Sequence, residues 1–220
     1  MAEPKNFKRP IIARLLFMTL MSFALSGCAG IENEDNSTAL PEETPYVETE
    51  FSTEPKNVVS EFEEDKLVFE PAELRCVIPL GFAETDTPGE YLYRTYPDDV
   101  SNINRIVNDS DNDLSVMTQE EFANQVSTEY YDAYGDEVEI NVTQYDKILV
   151  DGRPGRWAMY DFDFRGEHFE VLMVILFNGD HSDIVTYLQG PDAHWMKSFV
   201  ESANSLRYKP LNEVEESEDE

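Results

Sequence analysis

A chain of 220 residues with 46 Asp or Glu against 16 Lys or Arg carries a formal charge of -30. A surface of this sign is repelled by phosphate backbones and anionic headgroups, so it excludes nucleic acid as a partner and excludes membrane attachment through a basic patch. The length leaves room for one domain with its own core, and two cysteines, Cys28 and Cys76, give no disulfide framework on which a smaller fold could rest.

The chain begins with a basic stretch holding Lys5, Lys8, Arg9 and Arg14, then an apolar stretch from Leu15 to Leu25, then Ser26 and Gly27. This is the order of a secretory signal, and its apolar part is shorter than the roughly 20 residues a membrane-spanning helix needs. The residues Leu25-Ser26-Gly27-Cys28 resemble the lipobox of bacterial lipoproteins. That resemblance implies a diacylglycerol on the Cys28 thiol, cleavage before Cys28, and a mature protein on the outer, extracytoplasmic face of a membrane. At about 0.8 kcal/mol per buried CH2, two long acyl chains contribute on the order of 20 kcal/mol, enough for stable anchoring. Residues 1–27 hold four basic residues and one Glu, a net +3, so removing them leaves -33.

Residues 28–65 are acidic and rich in Pro, Ser, Thr and Asn, with ten Asp or Glu against the single Lys56 between 29 and 63. This composition predicts a disordered tether, and 35 residues of flexible coil span roughly 33 Å. The domain is expected over residues 66–208, and residues 209–220, with six acids, are expected as a solvated tail.

Within the domain, Leu67, Phe69, Leu74, Val77, Ile78, Leu80 and Phe82 announce a packed body, and strand patterns dominate. Short strands are expected at Lys66–Glu70, Leu74–Val77, Glu90–Tyr96 and Asn102–Val107. A longer β region follows at Val138–Val150, turns at Asp151-Gly152-Arg153-Pro154-Gly155, and continues over Arg156–Arg165. There Tyr160, Phe162 and Phe164 alternate with Asp161 and Asp163. The run His168–Phe177 is apolar at successive positions and predicts a central strand covered on both faces. Asn178-Gly179 is a hairpin signal leading to Asp183–Gln189.

Two helices are expected. Met117-Thr118-Gln119-Glu120-Glu121-Phe122 is a capping box with a hydrophobic staple, followed by the stripe Phe122, Val126, Tyr130, Tyr134 and the terminator Gly135. The second helix is expected to begin at Pro191 and to present Trp195, Phe199, Ala203 and Leu206. An antiparallel sheet with helices packed on it is an α+β domain. The stretch Leu74-Arg75-Cys76-Val77-Ile78-Pro79-Leu80-Gly81-Phe82, the turn Asp151-Gly152-Arg153-Pro154, and the final helix with Trp195, Phe199 and Ser202-Ala203 resemble the PsbP/Mog-like domain of many small bacterial lipoproteins. The resemblance spans roughly Lys66–Tyr208. It implies an α/β/α sandwich used for binding or scaffolding, and brings no catalytic residues with it.

Chemistry-bearing motifs are sparse. No Gly-x-Ser-x-Gly, His-Glu-x-x-His, phosphate loop or Cys-x-x-Cys occurs, and His168, His181 and His194 stand apart in sequence. His168 and His181 flank one hairpin, where they read as exposed polar residues rather than metal ligands. Cys76, in a β-rich run, reads as a small buried apolar residue. Asp109, Asp111, Asp113 and Glu120 fall at positions 1, 3, 5 and 12 of a calcium loop, but Leu114 takes the place of the Gly that permits its turn. The competing reading is an acidic solvated loop ahead of the helix.

Together these features point to a lipid-anchored, non-enzymatic binding or scaffold module of the cell envelope, recognising a protein or peptide by a sheet edge or a groove beside a helix. The alternatives are a surface hydrolase using Asp161, Asp163 or Glu167, and a small-solute receptor.

Overall fold

The computed structural model describes residues 51–61, 69–108, 117–179 and 181–211. Eleven elements follow in order: β1 (Ala72–Arg75), β2 (Phe82–Glu84), β3 (Glu90–Tyr93), β4 (Asn102–Asn108), α1 (Gln119–Tyr134), β5 (Asn141–Val150), β6 (Arg153–Phe164), β7 (Glu167–Asn178), β8 (His181–Gln189), α2 (Met196–Ala203) and β9 (Arg207–Pro210). Seven strands form one antiparallel sheet in the order β2-β3-β4-β8-β7-β6-β5, and β1 pairs with β9 in a separate ribbon. The chain thus lays down three strands, crosses through α1 to the far edge, and walks back as a meander until β8 meets β4.

The meander follows from its turns. Asp151 and Gly152 both take positive φ, as do Arg165 and Gly166, which is the backbone of a two-residue turn whose twist matches that of the strands it joins. The first turn is therefore two residues long rather than five. Arg153, Pro154 and Gly155 already belong to β6, with Pro154 opposite Leu149 and outside the β7 pairing that starts at Gly155. Gly155 is required there, because a Cβ would collide with the carbonyl oxygen of Ile175.

Every residue from Val171 to Leu176 is buried, and alternate side chains feed two cores. Phe169, Val171, Met173 and Ile175 join Phe122, Val126 and Tyr130 of α1. Leu172, Val174 and Leu176 join Phe199, Val200 and Ala203 of α2, with Leu74 and Tyr208 of the ribbon.

The capping box of α1 forms as its residues require. The Glu121 amide donates to Thr118 Oγ1 at 3.2 Å, the Thr118 amide donates to the Glu121 carboxylate at 2.9 Å, and Gly135 closes the helix in the left-handed conformation. The second helix starts at Met196, five residues later than its sequence suggests. Pro191 to Ala193 form a turn with Asp192 at positive φ, and the cap comes from β8: Gln189 Oε1 accepts from the amides of Trp195 at 2.6 Å and Met196 at 2.7 Å.

Other boundaries also differ from the sequence reading: β1 covers Ala72–Arg75 rather than Leu74–Val77, β3 ends at Tyr93 rather than Tyr96, and β5 begins at Asn141 rather than Val138. Phe69 and Glu70 form no strand, and the rest of the Lys66–Glu70 run lies outside the described residues. Lys209 and Pro210, expected in the tail, complete β9. Residues 51–61, acidic enough to read as tether, touch the domain: Val58 bridges Ile148 on the outer edge of β5, and the Lys56 amide donates to Asn204 Oδ1 at 2.8 Å.

Candidate functional site

The lipobox-like Cys28 and the calcium-loop residues Asp109, Asp111 and Asp113 lie outside the described residues; Glu120 is on the exposed first turn of α1. Among the described residues no three His, Cys, Asp or Glu side chains stand close enough to hold a metal, and no helix is long and apolar enough to cross a membrane.

The two histidines that flank the β7–β8 hairpin are held apart, as far as metal ligation is concerned, by the length of the strand between them. His168 stands near the start of β7, whereas His181 pairs with Asn178 at the other end, roughly 33 Å away at about 3.3 Å per residue. His168 Nδ1 lies 2.8 Å from Asp163 Oδ1, and this hydrogen bond to a carboxylate raises the imidazole pKa. Asp161 accepts from Asn141 Nδ2 at 2.9 Å, Asp163 is 80% exposed, and Glu167 is exposed beside the β6–β7 turn. These carboxylates occupy the end of the sheet that α2 does not reach, so their alternation marks a solvated surface.

His181 belongs to a buried polar network at the opposite end. Asp183 accepts from Tyr208 Oη at 2.6 Å and from Asn178 Nδ2 at 3.1 Å. Arg153 donates to Asn178 Oδ1 and to the Glu70 carbonyl, each at 2.9 Å, and its guanidinium lies 3.8 Å from the centre of the Tyr208 ring. Burial and the adjacent Asp183 push the Tyr208 hydroxyl pKa upward, so it stays a donor. The network fastens the ribbon to the sheet.

Two concavities stand out among the described residues. The first, a cleft of about 280 Å3, opens between β1 and the strands β3 and β4. Its walls include Glu73, Arg75, Cys76, Glu84, Tyr91 and Arg105. Arg75 donates to Glu73 at 2.8 Å, Arg105 stands 3.5 Å from the same carboxylate and also donates to the Leu74 carbonyl, and the Arg75 hydrogen bond chiefly lowers the Glu73 pKa. Glu84 Oε1 accepts from the Gly89 amide at 2.9 Å. The charges of the cleft are thus matched from within. Cys76 is half-buried beside Tyr187 and Ser202, and burial pushes its thiol up, which keeps it protonated and a poor nucleophile. Val77 and Leu80, expected in the core, are 66% and 95% exposed on the loop that follows, because Pro79 and the positive-φ Gly81 turn the chain outward before Phe82 enters.

The second concavity is an open groove of about 540 Å3 between α1 and the extended residues that lead into β5. Ser127, Thr128 and Tyr131 form one wall and Glu137, Val138 and Glu139 the other, tied by the Ser127 hydroxyl donating to the Val138 carbonyl at 2.6 Å. No Lys or Arg lines it. Composition gave no sign of this groove, since it depends on how α1 crosses residues 137–139.

No family model matches the chain, and no curated protein matches it. Among solved structures it is similar to cyanobacterial PsbP (CyanoP) from Synechocystis sp. PCC 6803, at 15% identity and a TM-score of 0.42, over 69% of this chain and 99% of that one. It is also similar to PA94 from Pseudomonas aeruginosa, a protein of unknown function, at 14% identity and a TM-score of 0.37, over 66% of this chain and 88% of that one.

Proposed function

We propose that this chain is a bacterial lipoprotein, anchored through acyl chains on Cys28 to the outer face of a membrane, whose α+β body serves as a non-enzymatic binding or scaffold module for an envelope protein or peptide. The order basic stretch, apolar stretch, Leu25-Ser26-Gly27-Cys28 carries the anchoring half. The arrangement of the body as an α/β/α sandwich of PsbP/Mog-like kind belongs to the same proposal; in support, the central strands send alternate side chains to one core with α1 and another with α2.

What supports a binding role is the outer edge of β5, where a segment of the chain itself already lies along the strand by backbone hydrogen bonds. Capture of partners from detergent-solubilised membranes with the lipidated chain tests this half, and metabolic labelling with a fatty acid tests the anchor. Label is expected on the wild type and absent from Cys28→Ala. A labelled Cys28→Ala protein, or an unmodified sulfur at Cys28 by mass spectrometry, rules the anchor out.

A further inference from the structure

We infer that the outer edge of β5 is the surface on which an extended, lysine- or arginine-bearing segment of a partner docks, and that residues 54–60 of this chain are a resident strap which the partner displaces. The inference rests on the reading of the domain as a binding module and is independent of the lipid anchor.

The edge takes an extended chain in the observed structure. The Val59 amide donates to the Lys147 carbonyl at 2.9 Å, the Leu149 amide donates to the Asn57 carbonyl at 2.9 Å, and Val58 stands opposite Ile148 in antiparallel sense. Beyond these bonds the strap is held by polar contacts: the Lys56 amide to Asn204 Oδ1, and Lys147 Nζ to the Ser60 carbonyl at 3.4 Å. Pro55 is buried, but Val58 is 53% exposed, so little apolar surface resists detachment. A segment bound in this way opens more readily than the sheet beneath it.

Toward the start of β5 the same edge leads into the groove between α1 and residues 137–139. Two carboxylates, Glu137 and Glu139, line one wall, facing the half-exposed Tyr131 and the hydroxyl-bearing Ser127 and Thr128 of α1 on the other, with no basic residue among them. Carboxylates beside an aromatic face suit an ammonium or guanidinium group. The contrast with the β1–β4 cleft is instructive, because there Arg75 and Arg105 already occupy Glu73.

The geometry also limits the guest. Between Val142 and Gln144 the β5 register slips, and Gln119 Nε2 donates to the Val142 carbonyl at 3.1 Å, so backbone pairing belongs to the stretch from Tyr145 to Leu149. Leu149 and Glu139 are ten residues apart, about 33 Å of strand, which a guest of about ten residues spans. In the antiparallel sense of the strap, its C-terminal half meets the groove. A second copy of the chain is the wrong guest, since net charges of -30 repel.

The test uses the full chain in non-ionic detergent, with a labelled twelve-residue peptide alternating lysine and valine and a twin carrying glutamate for lysine. The lysine peptide is expected to bind, to strip hydrogen-exchange protection from the Val59 amide, and to leave the Leu149 amide protected. Val59→Pro, which removes the strap's donor, and Asn204→Ala, which removes its second hold, are each expected to tighten binding about fivefold by freeing the edge. The pair Glu137→Gln and Glu139→Gln is expected to weaken it about fivefold and to flatten its salt dependence. Equal binding of the glutamate twin, or an affinity indifferent to all these changes, overturns the inference. A partner captured from membranes in undiminished amounts by the double glutamine variant rejects this edge while leaving the binding-module reading intact.

Discussion

The central strands β6, β7 and β8 and the β1–β9 ribbon are both antiparallel pairings, yet they are held by opposite means. In the centre, apolar side chains on both faces of β7 leave nothing for water to compete with. The ribbon has four residue pairs, and only Leu74 and Tyr208 of these strands are deeply buried. Its attachment depends on one network in which Arg153, Asn178, Asp183 and Tyr208 satisfy one another. The centre is therefore robust in pattern and sensitive in volume, whereas the ribbon is sensitive to single polar atoms.

The largest effect should come from the centre. Leu172 is fully buried within the α2-side core, and Leu172→Ala should cost about 3–4 kcal/mol in urea unfolding through lost burial plus the cavity left behind. Amide protection is expected to fall across the whole sheet, since every strand shares that unfolding. A loss under about 1 kcal/mol would mean that the core collapses into the gap, and that volume matters less there than claimed.

Tyr208→Phe should do the reverse in character. It removes one oxygen, leaving the buried Asp183 carboxylate without its closest donor, and should cost about 1–3 kcal/mol. Hydrogen exchange should show the loss at Leu74, which pairs with Tyr208, while the amides of β7 keep their protection. Uniform loss over both regions would erase the distinction between them.

Thr118→Ala tests a third, local kind of support, and about 1 kcal/mol is expected, read as loss of helix signal and exchange protection in the first turn of α1. The Thr118 amide holds the Glu121 carboxyl below its ordinary pKa. That contribution is present above the unfolded value near 4.5 and is lost as pH falls through the lower folded one. Glu121→Gln should therefore remove acid sensitivity from the α1 N-terminus, and a wild type and variant with identical acid melting profiles would exclude the capping box as its source.

How much of this was legible in sequence follows the same division. The apolar run of β7, the alternation of Tyr160, Phe162 and Phe164, and the capping residues of α1 are local signals, and each element formed where they place it. The ribbon was legible only in β1, which overlaps the strand expected at Leu74–Val77; Arg207–Pro210 has no period of its own and becomes a strand only through Tyr208 meeting Asp183 and Arg153 from distant β8 and β6. The start of α2 failed for a related reason: its cap is Gln189, supplied from the preceding strand. Leu80 looked like core by type but follows Pro79 into solvent. The cleft draws residues from β1 to β4 and β8, so no single window of sequence contained it, whereas the groove lies within residues 127–139 but depends on how the end of α1 meets the residues leading into β5.

The smallest effect belongs to the solvated end of the same central strands, where His168 and Asp163 face each other across β6 and β7. The hydrogen bond that His168 Nδ1 donates to the Asp163 carboxylate raises the imidazole pKa in the folded chain above its ordinary value near 6.5. A histidine shifted in this direction stabilises fully below its unfolded pKa, and the contribution fades as pH rises through the folded one. Because the two side chains are 58% and 80% exposed, water and salt screen most of the interaction. Melting curves should barely register it, so the decisive measurement is an NMR titration of the His168 ring with and without Asp163→Asn. The variant's imidazole should titrate at lower pH than the wild type's, with no change in amide protection along Val171–Leu176. If it titrates at the same pH, the pair contributes nothing, and if protection in β7 falls as well, the exposed end and the buried centre of these strands are coupled more tightly than their burial implies.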